Sequence, residues 1–154
     1  MSEVIKCISE WQPWGTAIVR GRKKWETRSW PAPKWAIGKS ILIHAAKQPF
    51  KLSDYSFDRD FLEELKLSGI IDLIDSRRLP YGALLGSVVI EGSVPTEKIR
   101  DVLSLREKGW GNYDNGRHAW QLSCAVEFPE PIQFKGSQGF FDVDASVIPA
   151  GWMR

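Results

Sequence analysis

Cysteine is scarce: Cys7 and Cys124 are the only two in 154 residues, and they stand far apart in the chain. Such a pair makes no disulfide framework and gives no close-spaced metal ligands. Histidine is equally rare, with His44 and His118 alone, so a structural zinc site has little to draw on and the expectation is no metal and no cofactor. No apolar run reaches the roughly 18 residues that a membrane-spanning helix needs. Residues 1–9 also lack the apolar block and small-residue cleavage site of a secretory signal. The expectation is a cytoplasmic protein with no membrane partner. The 13 glycines nowhere take the spacing of a P-loop or a dinucleotide fingerprint.

Tryptophan, by contrast, is abundant, and five of the eight lie between Trp11 and Trp35. The positive charge concentrates in the same region. The whole chain carries a net charge of only +2, yet residues 20–51 hold nine Lys or Arg against Glu26 alone. A run of lysines and arginines is often just a solvated face. Interleaved with indoles, it also has what phosphate contact plus base stacking requires. The densest stretch runs from Gly21 to Trp30, Gly-Arg-Lys-Lys-Trp-Glu-Thr-Arg-Ser-Trp, shortly after Trp11-Gln12-Pro13-Trp14. Its mixture of cations, a carboxylate and rings suits a polar ligand better than an apolar core.

Taken in order, residues 4–8 alternate as an opening strand. A short helix follows through about Arg20, with Pro13 in its first turn and Gly21 as its stop. Trp14, Ala17 and Ile18 fall at spacings of three and four and face the core. Residues 24–30 are too polar for a central strand and lead into Pro31 and Pro33, which predicts an extended arm. Residues 38–46 form the clearest strand of the first half. Alternation puts Ile41, Ile43 and Ala45 on one face and Leu42, His44 and Ala46 on the other. His44 is then either a satisfied interior histidine or a group at the edge of the site.

Phe57, Phe61, Leu62 and Leu65 mark an amphipathic helix that ends at Gly69, followed by a second short helix or strand. Residues 83–94 read as a strand pair or one long strand bent at Gly86 and Gly92. Thr96 is placed to cap a short helix to about Leu105. A glycine and asparagine loop, 109–118, feeds the strand 119–126, an arrangement typical of binding loops. Residues 128–132 read as an irregular edge, Gly136 to Gly139 as a flexible loop, and 149–152 as a tail. Short strands, glycine bends and two helices favour a small mixed barrel over a doubly wound sheet.

The run Trp11-Gln12-Pro13-Trp14, the core Gly21-x-Lys23-x-x-Glu26-x-Arg28, Ser29-Trp30-Pro31 and Leu42-Ile43-His44-Ala45-Ala46-Lys47 resemble the ASCH domain family, named for homology to a domain of activating signal cointegrator 1. Ala83-Leu84-Leu85-Gly86 and Gly116-Arg117-x-x-Trp120 resemble its middle strand and its later loop and strand. The resemblance covers most of residues 5–141, with the motifs in order. It implies a PUA-like, mainly antiparallel α+β barrel with flanking helices, and an association with RNA or other nucleic acid. It also implies a ligand cleft lined by the Gly-x-Lys-x-x-Glu-x-Arg segment. One enzymatic branch, acting on acylated cytidine, uses the motif lysine with a threonine where this chain has Glu26. Other members are described as metal-independent ribonucleases.

The resulting expectation is a single domain over residues 1–154, with a helical insertion at about 50–80. Its function is binding of RNA, single-stranded nucleic acid or a modified nucleoside. The binding residues are Trp11, Gln12, Lys23, Glu26, Arg28, Ser29, Trp30, Lys47, Arg117 and Gln138. The alternatives are a metal-independent ribonuclease, a nucleoside amidohydrolase, or an adaptor for an unknown protein partner. Catalytic candidates are Lys23, Glu26, His44, Lys47 and Tyr81. For Glu26 and Arg28 the competing reading is a salt bridge that braces the arm.

Overall fold

The alternation through residues 38–46 is realised in strand β3 (Ser40–Ala45), which is buried on both sides. Ile41 and Ile43 pack with Ile18 and Val19, while Leu42 packs with Cys7, Leu84 and Val143. β3 lies parallel to β1 (Val4–Glu10) and antiparallel to β4 (Ala83–Pro95). The computed structural model describes residues 3–153. β2 (Trp25–Arg28), β5 (His118–Gln133) and β6 (Phe140–Asp144) complete one six-stranded sheet in the order β2-β5-β4-β3-β1-β6. β1 and β3 form its one parallel pair among the described strands.

The expected barrel does not form. The sheet is mixed and mostly antiparallel, but it is open, since β2 pairs with β5 and β6 with β1 and the two end strands do not meet. Both end strands are short, four residues in β2 and five in β6, and closure would need a ladder between them.

One sheet face is covered by α1 (Trp14–Val19), whose Ile18 and Val19 join Ile8, Ile43, Val88 and Trp120. The other is closed by residues of the C-terminal segment, Val147, Ile148 and Trp152, over Leu42, Leu84 and Phe128. Fully burying a side chain such as Ile18 or Leu42 stabilises by about 1.5–3 kcal/mol. The segment between β3 and β4 holds α2 (Arg59–Leu67) and α3 (Ile70–Asp75), so the ambiguous 70–74 stretch is helical. These helices build a further core with Trp110, against which Trp14 packs; the Trp14 and Phe61 rings stack at 5.6 Å.

Two details depart from the sequence reading, and one alternative it left open is decided. Thr96 caps no continuous helix: two single 3-10 turns, Thr96–Lys98 and Arg100–Val102, precede α4 (Leu105–Gly109). The cap is Ser104, whose hydroxyl accepts from the Glu107 amide at 3.1 Å. Residues 83–95 form one bent strand, with register shifts beside Gly86 and Gly92. Residues 128–131 lie within β5, but the ladder jumps from Leu84–Ile132 to Gly86–Glu127, so Pro129 and Pro131 ride on an excursion that asks for no amide donor.

Candidate functional site

The Gly21 to Arg28 segment leaves α1 through a turn in which Gly21 takes φ 73° and the Arg22 and Lys23 amides both donate to the Ala17 carbonyl. Glycine adopts this left-handed conformation without steric cost. The turn points the Lys23 side chain inward and delivers β2 to the end of the sheet, next to the C-terminal end of β1. Glu10, Lys23, Glu26 and Arg28 therefore meet.

Their contacts are specific. Lys23 Nζ donates to Glu26 Oε1 at 3.1 Å and to the Trp25 carbonyl. Arg28 Nε donates to Glu26 Oε2 at 3.0 Å, while Nη2 reaches Glu10 Oε2 at 2.8 Å and the Ser9 carbonyl at 3.1 Å. The Arg28 guanidinium also lies 5.7 Å from the rings of both Trp30 and Trp120. Lys23 is 2% exposed and Glu26 7% exposed, so these charges are paid for by pairing rather than by water.

The two carboxyls are pushed in opposite directions. Burial and the neighbouring Glu26 charge drive Glu10 well above the usual carboxylate range. Burial also works to raise Glu26, but Lys23, a hydrogen bond from Glu10 and the Arg28 charge outweigh it and hold Glu26 at about 2. Glu10 is then the protonated member and Glu26 the anion.

The network floors a cleft of about 680 Å³. Trp11, 60% exposed, stands at its edge. The 109–118 loop forms the opposite wall and is fastened to β2: Arg117 donates to the Thr27 carbonyl at 3.0 Å and to the Asn112 carbonyl at 3.1 Å. Behind the network, Glu107 accepts from the Lys24 amide at 3.0 Å, and Glu64 accepts from Trp110 Nε1 at 2.7 Å and from Arg22 Nη2 at 2.7 Å. A second hollow of about 520 Å³ adjoins the first, sharing Ser9, Trp11 and Arg28 and adding His44, Lys47, Lys135 and Gln138.

The predicted residues thus divide. Trp11, Lys23, Glu26, Arg28 and Arg117 line the first cleft, and His44, Lys47 and Gln138 the second hollow. Gln12 is 1% exposed and braces the chain internally, donating to Thr16 Oγ1 and the Pro80 carbonyl at 2.8 Å each. Trp30 packs edge-on against Trp120 at 4.9 Å and backs Arg28 instead of lining either hollow. The Tyr81 hydroxyl accepts from the Phe50 amide at 3.0 Å, and Ser29 is exposed; neither lines a hollow. Glu10, Ser9 and Asn112 escaped the sequence reading. Glu10 carried one signal, a carboxylate placed directly after an apolar strand and before Trp11. Among the described residues no three His, Cys, Asp or Glu side chains gather as a metal-ligand set, and no helix is long and apolar enough to cross a membrane.

Three crystal structures from Zymomonas mobilis share this fold. ASCH from that organism aligns with a TM-score of 0.54 at 17% identity over 92% of this chain and 89% of that one. Two of its mutant forms align at 0.53 with 19% identity and 0.52 with 16%, covering 92% of this chain and 89% and 91% of theirs. No curated protein matches the sequence. The model of the ASCH domain matches residues 8–132, which include the whole charge network and both walls of the cleft, and the chain belongs to the ASCH domain family.

Proposed function

We propose that the first cleft binds a nucleotide of single-stranded RNA, or a modified nucleobase, and that the protein acts by binding. Nucleic-acid binding is associated with the family as a whole. The observation that carries the reading is the juxtaposition of a rigid, charge-paired floor with a largely exposed indole in a cleft of about 680 Å³. That volume falls within the range of about 300–1,000 Å³ for small-molecule sites. Trp11 offers a stacking platform, Arg28 the Nη1 end of its braced guanidinium for a base edge or phosphate, and Arg117 and Lys47 flanking positive charge. The floor suits recognition better than hydrolysis. Glu26, held at about 2 with Lys23 and Arg28 on its two oxygens, is a weak base and a weak nucleophile.

The test is RNA affinity over a salt series for the wild type, Arg28→Lys and Trp11→Ala, each shown to be folded. Affinity falls with salt, about 0.7 counterion being released per neutralised single-strand phosphate. Trp11→Ala loses about 1–3 kcal/mol with little change in salt slope if the indole stacks on a base. Arg28→Lys loses about 1–3 kcal/mol for the preferred base if the guanidinium reads a base edge. Unchanged affinity in both variants rejects the cleft as the nucleic-acid site.

A further inference from the structure

The second hollow contains a hydrogen-bond relay that nucleotide binding in the first cleft does not use. Ser9 Oγ lies 2.9 Å from His44 Nδ1, and His44 Nε2 lies 2.7 Å from the Phe134 carbonyl oxygen. A carbonyl only accepts, so Nε2 must carry the ring proton. A neutral ring then leaves the Nδ1 lone pair facing the serine, and the Ser9 hydroxyl donates to it. Burial holds the His44 ring below the ordinary histidine value, against the smaller opposing effect of the Phe134 contact, which keeps it in this neutral state at pH 7. The order of groups is nucleophile, base and orienting acceptor, the arrangement that activates a serine.

The surroundings fit the same chemistry. Ser9 is partly exposed and lines the hollow, whereas His44 is buried beside it. Gly136 closes over the pair: a Cβ there would sit 2.5 Å from His44 Cε1 and 2.9 Å from Ser9 Oγ, so the 135–139 loop can approach only because the side chain is missing. The amides of Gly136 and Ser137 donate no hydrogen bond among the described residues. They are therefore unspent donors on the loop that lines the hollow. Lys47 and Lys135 line the same hollow.

We propose that Ser9 and His44 form a nucleophile and base that cleave small carboxylic esters in the second hollow. Ser9 Oγ attacks the ester carbonyl as its proton passes to His44 Nδ1. The tetrahedral oxyanion collapses, the carbon–oxygen bond to the alcohol breaks, and the Nδ1 proton goes to the departing alkoxide. Water, deprotonated by the same nitrogen, then splits the acyl-serine, releasing the acid and restoring Ser9. Ester and water give acid and alcohol with no other reactant.

The test is a fluorophosphonate probe on the full-length wild type, with the adduct located by peptide mass spectrometry, and 4-nitrophenyl acetate as turnover substrate. The expected result is one adduct per chain on Ser9, absent from heat-unfolded protein, and an initial burst of nitrophenolate. His44→Gln, shown to be folded, slows labelling by about 100-fold or more. Because the adduct is located on the wild type, the result does not depend on a variant that folds. The proposal is overturned if the folded wild type takes no label, if the label lies on another residue, if unfolded protein labels equally, or if folded His44→Gln labels at the wild-type rate.

Discussion

Glu10 and Glu26 sit in one network and pull stability in opposite directions with pH. Glu26 has its folded pKa lowered to about 2, so its contribution is present above the unfolded carboxylate value and is lost as pH falls through 2. Glu10 has its folded value raised by burial and by Glu26. Its protonated form is favoured in the fold, and stability drains as pH rises from the unfolded value toward the folded one. A single such proton gives a slope of at most about 1.4 kcal/mol per pH unit. Glu10→Gln, which fixes the neutral state, is therefore expected to raise Tm relative to wild type at pH 8 and to change it little near pH 4. Thermal melts across pH 4–9 check this. An equal loss of Tm at every pH would mean that Glu10 acts as the ionised partner of Arg28. Glu10 also marks the limit of what the sequence told about the site. Lys23, Glu26 and Arg28 were legible because they crowd into one segment, whereas Glu10 joins them only through the placement of β1 against β2.

At the scale of elements, the strands were legible wherever alternation was strict, as in β3. For the bent β4 the reading left a strand pair and one long strand both open. β4 keeps its course past β5 because Gly86 has no side chain: a Cβ there would overlap the Val126 carbonyl oxygen and crowd Val19 Cγ1 at 3.0 Å. Nothing in the local composition announces which glycine has a neighbouring backbone against it. Gly86→Ala is accordingly expected to cost more than about 3 kcal/mol, in the range of a disrupted core, while Gly92→Ala, whose Cβ meets nothing within 4 Å, costs about 1 kcal/mol or less. Denaturant unfolding of the two variants makes the comparison. The Thr96 helix failed for a related reason. The Thr96 hydroxyl contacts the Asp114 carbonyl at 2.7 Å and the Glu97 carboxylate at 3.0 Å, so tertiary partners claim the group that local reading assigned to a cap.

For the whole molecule, charge clustering along the chain overstated charge clustering in space. Of the nine cations in residues 20–51, Arg20 pairs with Glu127, Arg22 with Glu64, Lys23 with Glu26, and Arg28 with Glu10 and Glu26. Glu64 and Glu127 arrive from distant segments, which no local count anticipates. The positive field near the two hollows then rests on Arg117, Lys47 and Lys135 more than on the dense stretch from Gly21 to Trp30. Replacing those three by alanine is expected to lower RNA affinity and flatten its salt slope by about 0.7 for every phosphate that is no longer neutralised. Removing Arg77 and Arg78, which line neither hollow, leaves both unchanged in the same titration. The barrel misreading belongs to this scale too, since alternation specifies strands but not whether the first and last of a sheet meet. Because they do not, β2 presents an open edge, and alternate carbonyls of an antiparallel edge strand point away from its one neighbour. On β2 the Trp25 carbonyl is taken by Lys23 and the Thr27 carbonyl by Arg117. The cations that border the cleft thereby also blunt a strand edge that would otherwise template pairing with another chain. The two side chains that border the proposed cleft thus also guard a strand edge, so replacing Lys23 or Arg117 is expected to loosen that guard, and favour edge-to-edge association, as well as to alter the cleft.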